Sequence, residues 1–416
     1  MAARAFDPPS SDRPAPTRRQ KIAVLAASLV FSVLLIEGLS YLGTRFLVAR
    51  GVVCESAPPA DYAGYLEERD PILGWPAPSS IGTDPFDAAF SRITPAFPDP
   101  ATKSCVALFG DSFTFGDEVA AEHAYGNVLS QLLGCRVSNY GIGGYGTDQA
   151  FLRYRDRIGD DAPIVVLGIF SENIVRNVNQ LRGLYTGRGN DLGFKPRFIE
   201  AGDGGVIEVP MPTPTEAQIE RFPGNAQEVL KHEYFLPGGD ANVVFERFPY
   251  TLTVARAAAH FRVQARVRGE PYAWAFYDED HPSRALQVTT GIVREFAQVA
   301  RSRNQRPVLL LIPDMEDIAA SQDGRPFPYE PLKEALQDEG LEMIDAGEEF
   351  VKRLDGDDPC RLYTQCTKGH FFPEGYGWLA ETVRDGLLTQ GLIDQAKRRG
   401  KDGEQSDSGK SAADRV

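Results

Sequence analysis

The chain has 416 residues, 42% hydrophobic and 25% charged, a globular composition that fits one large domain with appendages or two domains. Acidic residues outnumber basic ones by 58 to 44, and the net charge of −14 speaks against a nucleic-acid groove or a broad anionic-lipid surface. Five cysteines without CxxC or Cys/His clustering give no metal site, and no motif calls for a cofactor.

Residues 1–20, rich in Pro, Ala, Ser and Arg, are expected to be a disordered cytoplasmic tail. Residues 21–45 read as a transmembrane anchor. Arg18, Arg19 and Lys21 precede Ile22–Thr44, which is mostly apolar with Glu37 as its one charge. That stretch would make about 35 Å of helix against a hydrocarbon core of about 30 Å. Basic residues on its amino side put the tail in the cytoplasm and the bulk of the chain outside, single-pass in the inner (plasma) membrane, with the domain periplasmic or extracellular. The rival reading is a cleaved signal peptide. Against it, no convincing A-x-A site follows the apolar run, and Gly51-Val52-Val53-Cys54 is a poor lipoprotein box. Residues 46–104 are a proline-rich linker whose isolated apolar residues, such as Leu73, Trp75 and Phe86, would pack it over the domain.

From Cys105 the pattern becomes strand, loop and helix. Val106–Phe109 is an apolar strand, Tyr125–Leu133 has helical spacing, Arg136–Tyr140 is a second strand, and Ile164–Phe170 suits a strand buried on both faces. Residues 180–280 read as an irregular insertion, with a hairpin turning at Asp203-Gly204-Gly205. Alternation returns with a helix through Leu286, Ile292, Val293, Phe296 and Ala300 and a buried strand at Val308–Ile312. A helix near Pro331–Gln337, a strand at Glu342–Ile344 and a last helix through Leu379, Val383 and Leu387 follow. Residues 105–392 would form the domain and residues 393–416 a disordered tail. The βαβ rhythm implies a parallel sheet covered by helices on both faces, with the site at the carboxyl ends of its strands.

Ser112 stands where an apolar strand gives way to a helix, beside unpaired backbone N–H groups, a position suited to attack on a carbonyl. Four segments follow in order: GDSFTFG at 110–116, NYGIGGYGTDQ at 139–149, GIFSENIVRN at 168–177 and GHFFPEG at 369–375. With these blocks the chain resembles the SGNH (GDSL-type) hydrolase superfamily over roughly residues 105–175 and 305–390. The resemblance implies a three-layer α/β/α sandwich on a central parallel five-stranded, flavodoxin-like sheet. It also implies Ser112 as nucleophile, Gly144 and Asn173 with the Ser112 N–H as the oxyanion hole, and His370 as general base. The family usually carries an aspartate two or three residues before this histidine, where this chain has Thr367 and Lys368. Asp357, Asp358, Thr367 or a backbone carbonyl could orient the imidazole instead. Arg176, Asn177 and Arg182 are candidates for binding substrate at the cleft mouth, or for a solvated helix face.

Three function classes follow. The first is an esterase acting outside the cytoplasm on an acylated glycan or lipid through an acyl-serine. The second is an O-acyltransferase modifying an exported polysaccharide, and the third a catalytically silent carbohydrate-binding module. Outside the cytoplasm neighbouring thiols oxidise. Cys105 and Cys135 enter strands this fold places side by side, and Cys360 and Cys366 bracket the loop before His370. Those pairs are expected to be disulfides, with Cys54 outside both.

Overall fold

The structure is a computed structural model describing residues 17–56, 61–188, 192–202, 204–366 and 369–393. Most of the two expected tails, Asp203 of the expected hairpin turn, and Thr367 and Lys368 lie outside the described residues. Five strands form the central sheet: β1 (Ser104–Phe109), β2 (Arg136–Asn139), β3 (Ile164–Phe170), β4 (Arg306–Ile312) and β5 (Glu342–Asp345). Their order is β2-β1-β3-β4-β5 and every pairing is parallel. This is the flavodoxin-like order, and the direction of winding reverses between β1 and β3, where such sheets open a crevice at the strands' carboxyl ends.

The sheet is buried on both faces, so its strands carry apolar residues at consecutive positions. Val106 and Leu108 point into one core, with Leu310 and Ile344; Ala107 and Phe109 point into the other, with Leu309 and Leu311. The first core is covered by α2 (Tyr125–Leu133), α6 (Ala346–Leu354) and α7 (Pro373–Thr389). The second lies under α3 (Thr147–Leu152) and α5 (Ala285–Ser302), whose Leu286, Ile292, Val293, Phe296 and Ala300 are all buried. Cys105–Cys135 bridges β1 to the segment entering β2 (Cα–Cα 6.1 Å), and Cys360–Cys366 closes a short loop (Cα–Cα 4.7 Å). Cys54 is buried outside both bridges, where Val53–Cys54 pairs with Val244–Phe245.

The insertion contains the expected hairpin, Arg197–Glu200 against Val206–Val209. It is less irregular than its sequence suggests: α4 (Tyr250–Ala257) and a helix at Phe261–Arg268 lie within it. Each is only eight residues long and α4 buries just Thr253 and Ala257, too few positions to leave a periodic apolar stripe. The N-terminal helix α1 (Arg18–Ala49) is long and apolar enough to cross a membrane. Its carboxyl-terminal half is held by the domain. The Glu37 carboxylate accepts from the Tyr250 N–H (2.8 Å) and from the Thr251 hydroxyl, Arg45 pairs with Glu246 (2.8 Å) and Glu55 (3.3 Å), and Thr44 is buried. Just beyond the helix, Gly51 lies against Thr186 and Gly187.

The linker is part of the domain. Arg92, itself buried, donates to the carbonyls of Phe115, Gly116 and Val119, and Arg136 pairs with Asp87 at 2.6 Å. The three carbonyls lie at and just after the end of the helical turn that begins with Ser112, so Arg92 fixes that turn from outside the sheet. Arg92→Met should strand them, each costing on the order of 1–3 kcal/mol. Urea melting should show a loss of several kcal/mol, and an unchanged midpoint would contradict this role.

Candidate active site

β1 ends at Phe109, and the chain turns through Gly110 and Asp111 into a single helical turn, Ser112–Phe115. Asp111 caps that turn, its Oδ1 accepting from the Phe113 N–H at 2.9 Å, and Gly116 ends it with φ +89°. One turn carries little macrodipole, so the donors available beside Ser112 are its local backbone N–H groups.

The other oxygen of Asp111 organises the end of β3. Oδ2 accepts from Asn173 Nδ2 (2.9 Å) and Arg176 Nη1 (3.1 Å), with the carboxylate buried. Asn173 is oriented by its own Oδ1, which accepts the Phe170 N–H at 2.9 Å, so the amide nitrogen faces Asp111. Its second contact, to the Tyr145 carbonyl, is long at 3.4 Å. That carbonyl also accepts from Arg176 Nη1 at 3.1 Å, which ties the glycine loop after β2 to β3.

Two glycines of that loop have no substitute. A Cβ on Gly141 would lie 2.4 Å from the Phe115 backbone nitrogen, and Gly144 has φ +78° with Arg182 Nε 3.0 Å from where a Cβ would stand. The linker clamps the loop from above, Trp75 Nε1 donating to the Gly143 carbonyl at 2.9 Å and the Tyr145 hydroxyl donating to the Trp75 carbonyl.

His370 comes in from the far end of the chain, just before Pro373 opens α7. The buried Phe371 anchors it, the Thr364 N–H donates to its carbonyl at 2.8 Å, and the Phe113 ring lies 4.9 Å from the imidazole between centroids. The contact between the Ser112 turn and His370 therefore runs through Phe113, the residue after Ser112.

The carboxylate beside the imidazole is Glu118. Its Oε1 lies 3.3 Å from His370 Nδ1, off the line of a hydrogen bond, and its Oε2 takes the Thr364 hydroxyl and, at 3.4 Å, the His370 N–H. The two acids expected there are engaged elsewhere. Asp357 pairs with Arg361 at 2.9 Å, and Asp358 caps the following turn through the Cys360 N–H at 2.9 Å. Glu118 was open to sequence reading only as half of the acidic pair Asp117-Glu118 directly after GDSFTFG. Its backbone is left-handed, φ +66°, a costly conformation for a glutamate and one that clusters at functional sites. The Thr364 hydroxyl, with smaller help from His370, holds the Glu118 carboxyl below the usual carboxylate range against the desolvation that would raise it. Its neighbour Asp117 is pushed up by burial, opposed by the charge His370 can carry.

Of the three residues expected to meet substrate, two are committed inside the protein. Asn177 is fully buried, donating to Thr289 Oγ1 at 2.8 Å and accepting the Asp148 N–H at 3.3 Å. Arg176 is spent on Asp111 and on Glu172 (3.3 Å). Arg182, half-buried beside Gly144, stays at the loop. Sequence reading also missed Glu172, which joins the insertion to the site. Glu172 accepts from the Tyr185 hydroxyl, Tyr185 shares a hydrogen bond with Tyr272 at 2.8 Å, and Arg262 stacks on the Tyr272 ring at 4.2 Å. Burial works against the charge on Glu172, but Arg176 and the Tyr185 hydroxyl outweigh it and hold the carboxyl low. Glu330, Asp345 and Glu348 also converge, yet Lys333 pairs with all three at 2.8–3.1 Å and supplies the positive charge a metal ion would bring.

No family model matches the chain, and no curated protein matches it. Among solved structures it is similar to a protein assigned to the lipolytic G-D-S-L family from Desulfitobacterium hafniense DCB-2, at 15% identity and TM-score 0.32, over 68% of this chain and 98% of that one. It is also similar to the acetyl xylan esterase AlAXEase, at 13% identity and TM-score 0.36, over 68% and 98%. A third is LAE5, an alpha/beta hydrolase enzyme from the metagenome of Lake Arreo, Spain, at 12% and 0.35, over 71% and 97%. Likenesses this slight fix neither fold nor chemistry, which rest on the chain's own geometry.

Glu118 is 40% exposed at its side chain, so solvent screens its pull on the imidazole and its main effect should be orientation. Glu118→Gln should lower kcat/KM for an ester by about 10–100-fold, less than the roughly 10⁴ of a buried triad aspartate. A carboxyl held low contributes above the ordinary carboxylate range and loses that contribution as pH falls through its folded value. Thr364→Val should therefore lower the urea midpoint near neutral pH and lose that effect in acid, where Glu118 is protonated in both proteins, and a deficit that is the same at every pH would count against this pairing.

Proposed function

We propose that the chain is a serine ester hydrolase of the SGNH (GDSL-type) superfamily, acting outside the cytoplasm on an acylated carbohydrate or lipid. The observation that carries this reading is the convergence of Ser112, the Gly144 loop and Asn173 around one buried aspartate at the β1/β3 crevice, with His370 reaching Phe113 from the far end of the chain. With Glu118 on the Nδ1 side of His370, Nε2 is the nitrogen assigned to the Ser112 hydroxyl in this reading. The Ser112 oxygen attacks the ester carbonyl carbon while Nε2 takes its proton. The resulting oxyanion is held by the N–H groups of Ser112 and Gly144 and by the Asn173 amide, which gives up its long contact to Tyr145. The C–O bond then breaks, His370 returns the proton to the leaving alcohol, and water repeats the sequence on the acyl-serine.

The acid beside His370 speaks for an active enzyme over a silent binding module. The anchor reading of α1 is supported by Arg18, Arg19 and Lys21 ahead of the apolar stretch, and the two disulfides fit an oxidising compartment outside the cytoplasm. A helix removed by a signal peptidase would take the contacts of Glu37 and Arg45 with it.

A fluorophosphonate probe should label the full-length protein, and Ser112→Ala should abolish labelling and lower ester hydrolysis by at least about 10³-fold. Labelling that survives the substitution would remove the proposal. Pulse-labelled acyl-enzyme released to water marks a hydrolase, and release only on addition of a glycan acceptor marks a transferase.

A further inference from the structure

We infer that the Glu246–Ala257 segment of the insertion dips into the outer leaflet of the bilayer beside α1, seating the catalytic domain on lipid. The inference rests on the anchor reading of α1 and adds a second membrane contact to it.

Two polar contacts between α1 and the insertion act as depth marks. Arg45 pairs with Glu246 at 2.8 Å, and Glu37 accepts from the Tyr250 N–H at 2.8 Å. Along the helix these marks are about 12 Å apart. Measured from Lys21, Glu37 lies about 24 Å up the helix and Arg45 about 36 Å, while the hydrocarbon core is about 30 Å thick. The Arg45 mark therefore falls outside the core, and the Glu37 mark about 6 Å inside it. Centring the core on Ile22–Thr44 gives the same order. The chain descends from Glu246 through Phe248 and Pro249, turns at Tyr250, and climbs back along α1 as α4. Gly43 approaches Val254 on the way, and Ala257 clusters with Val52 and Val53 at the top.

The chemistry of the segment matches that depth. A carboxylate inside the apolar span is expensive unless it is given partners, and the free N–H groups at the start of α4 are partners that an apolar environment requires to be satisfied. Each group covers the other. Tyr41 packs on Tyr250 with ring centroids 5.0 Å apart. Away from α1 the segment leaves Phe248 69% exposed and Leu252 45% exposed, large apolar side chains with no reason to face water. Arg247 and Arg256, both exposed, stand on the descending and ascending limbs, from which long side chains reach the headgroup phosphates. An insertion of about 6 Å is within the range for interfacial helices.

Nitroxide labels at Phe248→Cys and Leu252→Cys, in the full chain reconstituted into phosphatidylcholine–phosphatidylglycerol vesicles, test this. A label at Leu34→Cys reports the anchor, and one at Ile207→Cys, on the exposed hairpin, reports water. Phe248 and Leu252 should match Leu34, with oxygen broadening the signal several-fold more than an aqueous nickel chelate, and Ile207 should show the reverse. Labels at 248 and 252 open to nickel while Leu34 is not would overturn the inference and leave the anchor standing. Leu34 open to nickel would overturn the anchor reading and this inference with it. Exclusion of both reagents from position 252 would mean that protein, such as a second copy of the chain, covers the segment, and would equally overturn it.

Discussion

One buried carboxylate fixes the geometry of this site. Asp111 sits between β1 and β3, where the winding of the sheet reverses, and its two oxygens serve different masters. Oδ1 shapes the turn that presents Ser112; Oδ2 holds Asn173 and Arg176, and through Arg176 reaches the glycine loop and Glu172. Charge-assisted hydrogen bonds in a dry setting are strong, and a carboxylate with three donors costs little to bury. Because the same group holds the Ser112 turn and the Asn173 amide, neither can shift without the other. In the proposed reaction the spacing between the attacking oxygen and the developing oxyanion is thus set by the fold rather than by substrate.

The framework was legible because both cores impose simple rules on the strands. A strand buried on two faces is continuously apolar, and β3 and β4 read that way at sight, as did the helical spacing of α2, α5 and α7. The four blocks carrying Ser112, Gly144, Asn173 and His370 were legible for a related reason, since a glycine-rich turn or a polar residue at a strand's end breaks the pattern. What depends on contact across the chain was not legible. Arg176 and Asn177 read as candidates for the cleft mouth or for a solvated helix face, yet folding buries Asn177 and ties Arg176 to Asp111 and Glu172. Glu118 lies far in sequence from the histidine it serves, and only the three-dimensional meeting of the loop after Ser112 with the loop before α7 reveals it.

The substitution of acids has its own logic. An aspartate just ahead of the histidine would act from within the same loop. Glu118 reaches His370 from the segment that follows the Ser112 turn, so the element that carries Ser112 also holds the imidazole. Thr364 and the Cys360–Cys366 bridge brace the opposite side, and the left-handed backbone at Glu118 aims the longer side chain across the gap. The Ser112 turn and His370 are thereby referenced to one another through Glu118 as well as through Phe113.

Gly51 pressed against Thr186 and Gly187 has a further consequence. The short helix ending at Thr186 begins with Arg182, which lies beside Gly144, so the root of α1 and the rim of the cleft are separated by a single turn or so of backbone. A domain on a flexible stalk sweeps a volume that grows with the length of the stalk. A chain with no slack at this point sweeps almost none. On the proposed reading, with α1 set in a bilayer, such a site would work at one fixed altitude and would choose among acyl groups by how far they stand from the membrane, before any pocket distinguished their chemistry.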